Sequence, residues 1–149
     1  IVSTSKKVKS EKLSYKAFQK MFGKSVGKCA PSMFIETLKR KLALYNGKFV
    51  DIPTRTTKLS QTCICGNIKK KSLKERVHIC EKCGLELPRD LLSGYLAIFV
   101  TNAGKWNVKK AEKQYKNYAP ILDKCIEDLK ELTKTNPKAI AKTFGVKNN

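Results

Sequence analysis

Residues 63–66 read Cys-Ile-Cys-Gly, and residues 80–84 read Cys-Glu-Lys-Cys-Gly. Two thiol pairs about 15 residues apart have the spacing of a four-cysteine zinc ribbon, in which each pair gives two ligands to one tetrahedral ion. The glycine after each pair permits a tight turn, here called a knuckle, that aims backbone N–H groups at the sulfurs. We therefore expect one structural zinc ion, held by Cys63, Cys65, Cys80 and Cys83.

The first pair is irregular, because it is one residue shorter than the usual C-x-x-C. Its knuckle must therefore be the tighter of the two. His78 stands two residues before Cys80 and is an alternative ligand, although an exposed strand histidine is the favoured interpretation. A disulfide framework is disfavoured because no secretion signal accompanies the cysteines. Cys29 and Cys125 are predicted to be buried thiols on apolar helix faces.

The charge of the chain points to an anionic partner. Its 149 residues include 32 Lys and Arg against 12 Asp and Glu, a formal net charge of +20. Lys and Arg gain affinity for nucleic acids by releasing counterions from phosphates, and lysine, unlike arginine, reads few base edges. Only four of the basic residues are Arg, which favours backbone binding over sequence reading, with a merely solvated lysine-rich surface as the alternative. The densest basic group, which we call the basic loop, lies between the knuckles and comprises Lys69, Lys70, Lys71, Lys74 and Arg76.

Hydropathy and turn residues outline the rest of the chain. No apolar run approaches the ~20 residues of a membrane span, which excludes a transmembrane protein. The patterns predict strands over 1–10 and 48–52, and helices over 14–22, from Pro31 to just before Gly47, from Asp90 to about Val100, and from Pro120 to about Thr133.

Apolar stripes predict which helix faces are buried. Three of the predicted helices carry such a stripe. In the helix from Pro31 it comprises Phe34, Leu38, Leu42 and Tyr45. In the helix from Asp90 it comprises Leu92, Tyr95, Leu96 and Phe99, and in the helix from Pro120 it comprises Ile121, Cys125, Leu129 and Leu132.

One family shares these motifs. The run from Thr56 to Cys63, then Cys65-Gly66, Cys80, Cys83-Gly84 and Arg89-Asp90-Leu91, resembles the C-terminal part of TnpB. TnpB proteins, also called OrfB, are insertion-sequence-encoded, transposase-associated, RNA-guided DNA endonucleases related to miniature type V CRISPR nucleases. In that family a zinc ribbon interrupts a RuvC-like nuclease domain of the ribonuclease H fold. The resemblance covers about residues 1–102, and the C-x-C pair departs from the commonest family form.

The resemblance also implies catalytic residues. The family's third catalytic carboxylate follows the last cysteine, which assigns that role to Asp90. Its second is a Glu at a strand end, which Glu11 matches within residues 8–15. The first catalytic Asp has no counterpart in these 149 residues, so we expect a C-terminal fragment that is inactive alone. In the complete protein such carboxylates would hold two Mg²⁺ for phosphodiester hydrolysis.

The sequence therefore predicts an α/β fold: a partial RuvC/ribonuclease H-like domain with an inserted four-cysteine zinc ribbon and a helical C-terminal tail. The expected parts are a nuclease segment, the ribbon, a final nuclease helix and a basic helical tail, at residues 1–60, 61–86, 87–102 and 103–149. DNA and, in the complete protein, a guide RNA are the expected partners, in the cytoplasm at the nucleoid. The alternative function is a non-catalytic basic zinc-ribbon module that binds nucleic acid. The oligomeric state stays open.

Overall fold

A computed structural model describes residues 1–23, 25–72 and 74–135. The fold mixes helices and strands, as predicted. The strands are Lys7–Glu11 (β1), Lys48–Ile52 (β2), Val77–Ile79 (β3) and Glu86–Pro88 (β4). The helices are Tyr15–Phe22 (α1), Ser25–Lys28 (α2), Pro31–Leu44 (α3), Thr54–Thr57 (α4), Arg89–Ile98 (α5) and Val108–Thr135 (α6). None of the described helices is long and apolar enough to cross a bilayer.

The chain divides into two compact units, Ile1–Thr57 and Lys58–Asn149. In the first unit β1 and β2 pair in parallel, with Glu11 opposite Ile52. The predicted strand over 1–10 is wrong at its start, because β1 begins only at Lys7. Helix α1 follows as predicted, with Ser14 as its N-cap and Gly23, at a φ of +74°, as its C-cap.

Helix α3 buries only the middle of its predicted stripe. Leu38 and Leu42 are buried, but Phe34 and Tyr45 are 55 % and 65 % exposed. The prediction that all four pack in the core is therefore wrong. Two strands of five residues offer too little apolar surface to cover a helix about 20 Å long.

In the second unit β3 and β4 pair antiparallel, and α5 follows β4 directly. The predicted α5 stripe is confirmed, since its four members are buried. The ring of Tyr95 lies at the centre of an aromatic cluster, 5.0 Å from Phe99, 5.7 Å from Tyr115 and 5.4 Å from Tyr118. The Tyr95 hydroxyl donates to the Ala111 carbonyl at 2.5 Å, which fixes α5 against the start of α6. Burial raises the pKa of Tyr95 to about 12.

Helix α6 differs from its prediction in its first residue and in part of the face that it buries. It begins at Val108, twelve residues early, and Pro120 lies inside it. Proline in a helix interior costs about 3 kcal/mol, and α6 continues through it because buried side chains, Ala111 before and Leu122 after, hold both halves. Of the predicted stripe, Cys125 and Leu129 are half-buried, but Ile121 and Leu132 are exposed, and the next residues along the chain, Leu122 and Thr133, are buried instead. Residues 136–149 of the predicted tail lie outside the described residues.

Candidate metal centre and its surroundings

The first knuckle closes in three residues. The Gly66 amide donates to the Cys63 carbonyl at 2.9 Å, and the Cys63 amide donates to the Asn67 carbonyl at 2.8 Å. Gly66 has a φ of +82°, a conformation that costs an L-residue roughly 1–2 kcal/mol. The glycine is therefore what allows the chain to turn this sharply after a C-x-C pair.

The second knuckle repeats the pattern with one more residue. The Gly84 amide donates to the Cys80 carbonyl at 2.9 Å, the Cys80 amide donates to the Leu85 carbonyl at 2.9 Å, and Gly84 has a φ of +71°. The expectation that the C-x-C knuckle is the tighter of the two is confirmed.

The two knuckles bring four sulfurs together. The Sγ atoms of Cys63, Cys65, Cys80 and Cys83 all lie within 4.8 Å of one another. Cys63 Sγ is 3.5 Å from Cys83 Sγ, and Cys65 Sγ is 3.7 Å from Cys80 Sγ. Tetrahedral zinc with Zn–S bonds of about 2.3 Å requires S···S separations of about 3.8 Å. The cluster can thus hold a structural metal ion such as zinc, with four thiolates that leave no open position for water.

Hydrogen bonds from neighbouring amides favour the thiolate form of Cys80. Its burial opposes ionisation, but the backbone amides of Cys83 and Lys82 donate to its sulfur, and the balance lowers the pKa of Cys80 to about 6. The Asn67 Nδ2 atom also donates to Cys80 Sγ, at 3.8 Å. Burial raises the pKa of Cys63, so charge on that sulfur depends on a bound cation. Asn67 was not predicted from the sequence, where its only signal is its place directly after the first knuckle.

His78 lies on β3 as predicted, but the expectation that it is exposed is wrong. It is 2 % exposed, and it does not belong to the cluster of converging sulfurs. Its Nδ1 accepts from the Lys71 ammonium, and its Nε2 has no hydrogen-bond partner in the described part of the chain. Burial, followed by the charge of Lys71, lowers the pKa of His78 to about 4. The imidazole therefore anchors the basic loop as a neutral group.

The two knuckle glycines provide a matched pair of substitutions. A Cβ atom at Gly66 would lie 3.3 Å from Val108 Cγ1, whereas one at Gly84 would meet nothing within 4 Å. Both Gly66→Ala and Gly84→Ala would place alanine at a positive φ, at roughly 1–2 kcal/mol each. We expect the zinc-loaded Gly66→Ala protein to lose more stability in urea unfolding, because it also crowds the first turn of α6. Equal losses would show that the contact with Val108 carries no strain.

Asp90 lies in the first turn of α5, seven residues after Cys83. Its side chain is 42 % exposed, and its Oδ1 is 3.5 Å from Arg89 Nε. The Arg89 side chain is largely buried and donates from Nη1 to the Ser72 carbonyl at 3.4 Å. Arg89 thus orients the Asp90 carboxylate. This role was not predicted from the sequence, although Arg89 stands directly before Asp90 in the quoted motif.

Glu11 is the last residue of β1 and is half-buried, with the following amide, that of Lys12, donating to the Ile52 carbonyl at 2.9 Å. It stands at a strand end, and α1 begins four residues later. Glu11 belongs to the first unit and Asp90 to the second.

The basic loop separates into two classes of residue. Lys69 forms an ion pair with Glu81, and Lys71 contacts His78 and donates to the Ser60 carbonyl at 3.3 Å. Burial lowers the pKa of Lys71. Lys70 and Lys74 are exposed, and Arg76 is half-buried. Two of the five predicted binding residues, Lys69 and Lys71, therefore contact other side chains of the ribbon, while Lys70 and Lys74 face solvent.

The remaining cysteines lie outside the cluster. Cys29 is exposed and follows α2, so its prediction as a buried helix thiol is wrong. Cys125 lies on α6 and is only half-buried. Neither belongs to a group of metal-ligating side chains in the described residues.

The family model described as the Cas12f1-like TNB domain matches residues 32–95. The matched stretch contains the four clustered cysteines, the basic loop and Asp90, and leaves out Glu11 and α6. No curated protein and no solved structure matches the chain.

Proposed function

The chain belongs to the TnpB/Cas12-like family, and on this premise we propose that it is the C-terminal part of an RNA-guided DNA endonuclease. The proposed reaction is hydrolysis of DNA phosphodiester bonds, carried out by the complete, transposase-associated protein. Residues 1–60 and 87–102 would contribute to a RuvC-like nuclease domain. Residues 61–86 would be its zinc ribbon, and residues 103–149 a basic tail.

One observation carries this proposal: a carboxylate is built onto the helix that emerges from the candidate metal centre. The second knuckle leads through β4 into α5, whose first turn presents Asp90. A carboxylate in the first turn of a helix is favoured by the helix dipole. Asp90 keeps 42 % of its side-chain surface exposed although its neighbour Arg89 is largely buried. The site therefore offers a positioned and accessible acid.

Glu11 and Asp90 have the donor chemistry that suits magnesium, since Mg²⁺ prefers carboxylate oxygens. Bound Mg²⁺ would supply charge neutralisation at the scissile phosphate and activation of water. Within this chain, Arg89 would hold the Asp90 carboxylate in one orientation through its contacts with Oδ1 and the Ser72 carbonyl. The first carboxylate of the family's set would come from the complete protein.

The ribbon would contribute binding rather than chemistry. Its exposed ammonium groups, Lys70 and Lys74, suit the phosphate backbone, because lysine acts as a point charge with little base readout. The partners proposed are target DNA and a guide RNA.

Binding is testable on the chain itself. We expect Lys70→Ala/Lys74→Ala to make the fall of log affinity with log salt less steep on duplex DNA. The magnitude of the slope should decrease by roughly two, at about 0.9 per neutralised phosphate. Lys69→Ala/Lys71→Ala removes the same charge but takes it from side chains that contact Glu81 and His78. The slope should therefore change less in this control, measured by fluorescence anisotropy across a salt series. A larger change in slope for the control than for Lys70→Ala/Lys74→Ala would show that the solvent-facing lysines do not form the binding face.

The second candidate function is a non-catalytic zinc-ribbon module, favoured by the net charge of +20. Cleavage separates the two proposals. The complete protein with its guide RNA should cut target DNA in Mg²⁺ and should lose this activity when Asp90 is replaced. A non-catalytic module would bind DNA equally well with or without Asp90 and would not cut it.

A further inference from the structure

Helix α6 carries an uneven distribution of charge along its length. Residues 108–120 hold four lysines and one glutamate, whereas residues 121–135 hold three lysines and four acidic residues. Three lysines of the first half are spaced i, i+4 and i+7, so they share one face. We call this face the α6 lysine stripe; it comprises Lys109, Lys113 and Lys116.

The stripe faces solvent. All three side chains are exposed, and among the described residues none of them forms an ion pair with a carboxylate. Ala111, Tyr115 and Tyr118, which are buried or half-buried, lie on the opposite side of the helix. With a rise of 1.5 Å per residue, the stripe spans about 10 Å along the axis.

Packing fixes the stripe relative to the metal centre, because both belong to the second unit. The position of a Cβ at Gly66 in the first knuckle lies 3.3 Å from Val108 Cγ1 at the start of α6. The Tyr95 hydroxyl holds the Ala111 carbonyl one turn further on. The stripe thus begins beside the first knuckle, on a helix that the Tyr95–Ala111 hydrogen bond joins to α5.

We propose that the α6 lysine stripe is a second nucleic-acid surface that binds the phosphate backbone of a duplex. Three point charges within about 10 Å match a polymer that carries one negative charge per ~1.7 Å of its axis. The stripe lies outside residues 32–95, and the inference rests on the proposed nucleic-acid function.

The second half of the same helix provides the control. Lys124, Lys130 and Lys134 are also exposed lysines of α6, but they lie in the half of the helix that has a net negative charge. Alanine is the best helix former, so either triple substitution should leave the helix folded. Unchanged far-UV circular dichroism and zinc content would verify this for both variants.

Binding of the full chain to a short random-sequence DNA duplex is measured across a salt series. We expect Lys109→Ala/Lys113→Ala/Lys116→Ala to lower the slope of log affinity against log salt by roughly two to three. The control triple, Lys124→Ala/Lys130→Ala/Lys134→Ala, should lower it by less than one. Equal slopes for the two variants would overturn the inference while leaving the proposed function intact. A wild-type chain that fails to bind duplex DNA at low salt would overturn both.

Discussion

The substitution Cys80→Ser is expected to release zinc and to unfold the ribbon. Cys80 Sγ is 3.7 Å from Cys65 Sγ and accepts from Asn67 Nδ2, so it lies inside the cluster. Metal binding contributes ~10–16 kcal/mol in zinc-finger peptides, comparable to the whole stability of a typical domain. Elemental analysis of purified protein should give one zinc per wild-type chain and a small fraction of that for Cys80→Ser. Loss of protease resistance over residues 61–86 should accompany the loss of metal.

The matched control is Cys29→Ser. Cys29 is an exposed cysteine that does not belong to the cluster, so its replacement should leave the zinc content unchanged. Zinc loss from both variants to the same extent would mean that the metal is bound adventitiously by accessible thiols. Wild-type protein purified without any zinc would contradict the metal centre itself.

Asparagine at Asp90 is expected to abolish DNA cleavage by the complete, guide-loaded protein in Mg²⁺. The substitution keeps the size of the side chain and removes the charge that a metal ligand needs. Loss of a residue that only orients a metal ligand costs about 10–100-fold in metal affinity or activity, so loss of a ligand itself should cost more than about a hundred-fold. Zinc content and duplex binding should stay unchanged, because Asp90 is not one of the clustered residues. Glu11→Gln is expected to behave in the same way.

Glu86→Gln is the control for this experiment. Glu86 is an exposed carboxylate on β4, four residues before Asp90 in the same unit, and neutralising it should leave the rate of cleavage unchanged. Cleavage that survives Asp90→Asn would remove this residue from the reacting site. Mg²⁺-dependent cleavage by the 149-residue chain alone, lost in Asp90→Asn, would show that the family's first catalytic Asp is not needed.

Where the chain carries strong local signals, the sequence sufficed to predict its structure. A serine N-cap and a glycine stop delimit α1, and a proline at the first position delimits α3. The two Cys-Gly knuckles are likewise local, since each is closed by hydrogen bonds within six residues. These elements need no information from the rest of the fold.

Tertiary packing decided what the sequence did not reveal. The sequence predicts a helix start at Pro120, but buried side chains on both sides of it hold α6 as one helix. The sequence predicts an exposed His78, whereas the residue is buried in the structure and its Nδ1 accepts from the Lys71 ammonium. Phe34 and Tyr45 fit an apolar stripe, yet the small β1–β2 sheet leaves them uncovered. In each case the packing around the residue, which its local sequence pattern does not encode, determined the outcome.

The two knuckles are expected to hold one metal ion through four thiolates. X-ray absorption at the zinc edge of the wild-type protein identifies the ligands of that ion. We predict a first shell of four sulfur atoms at about 2.3 Å and no nitrogen or oxygen neighbour. A shell of three sulfurs and one nitrogen would instead contradict the four-thiolate centre and make His78 a ligand.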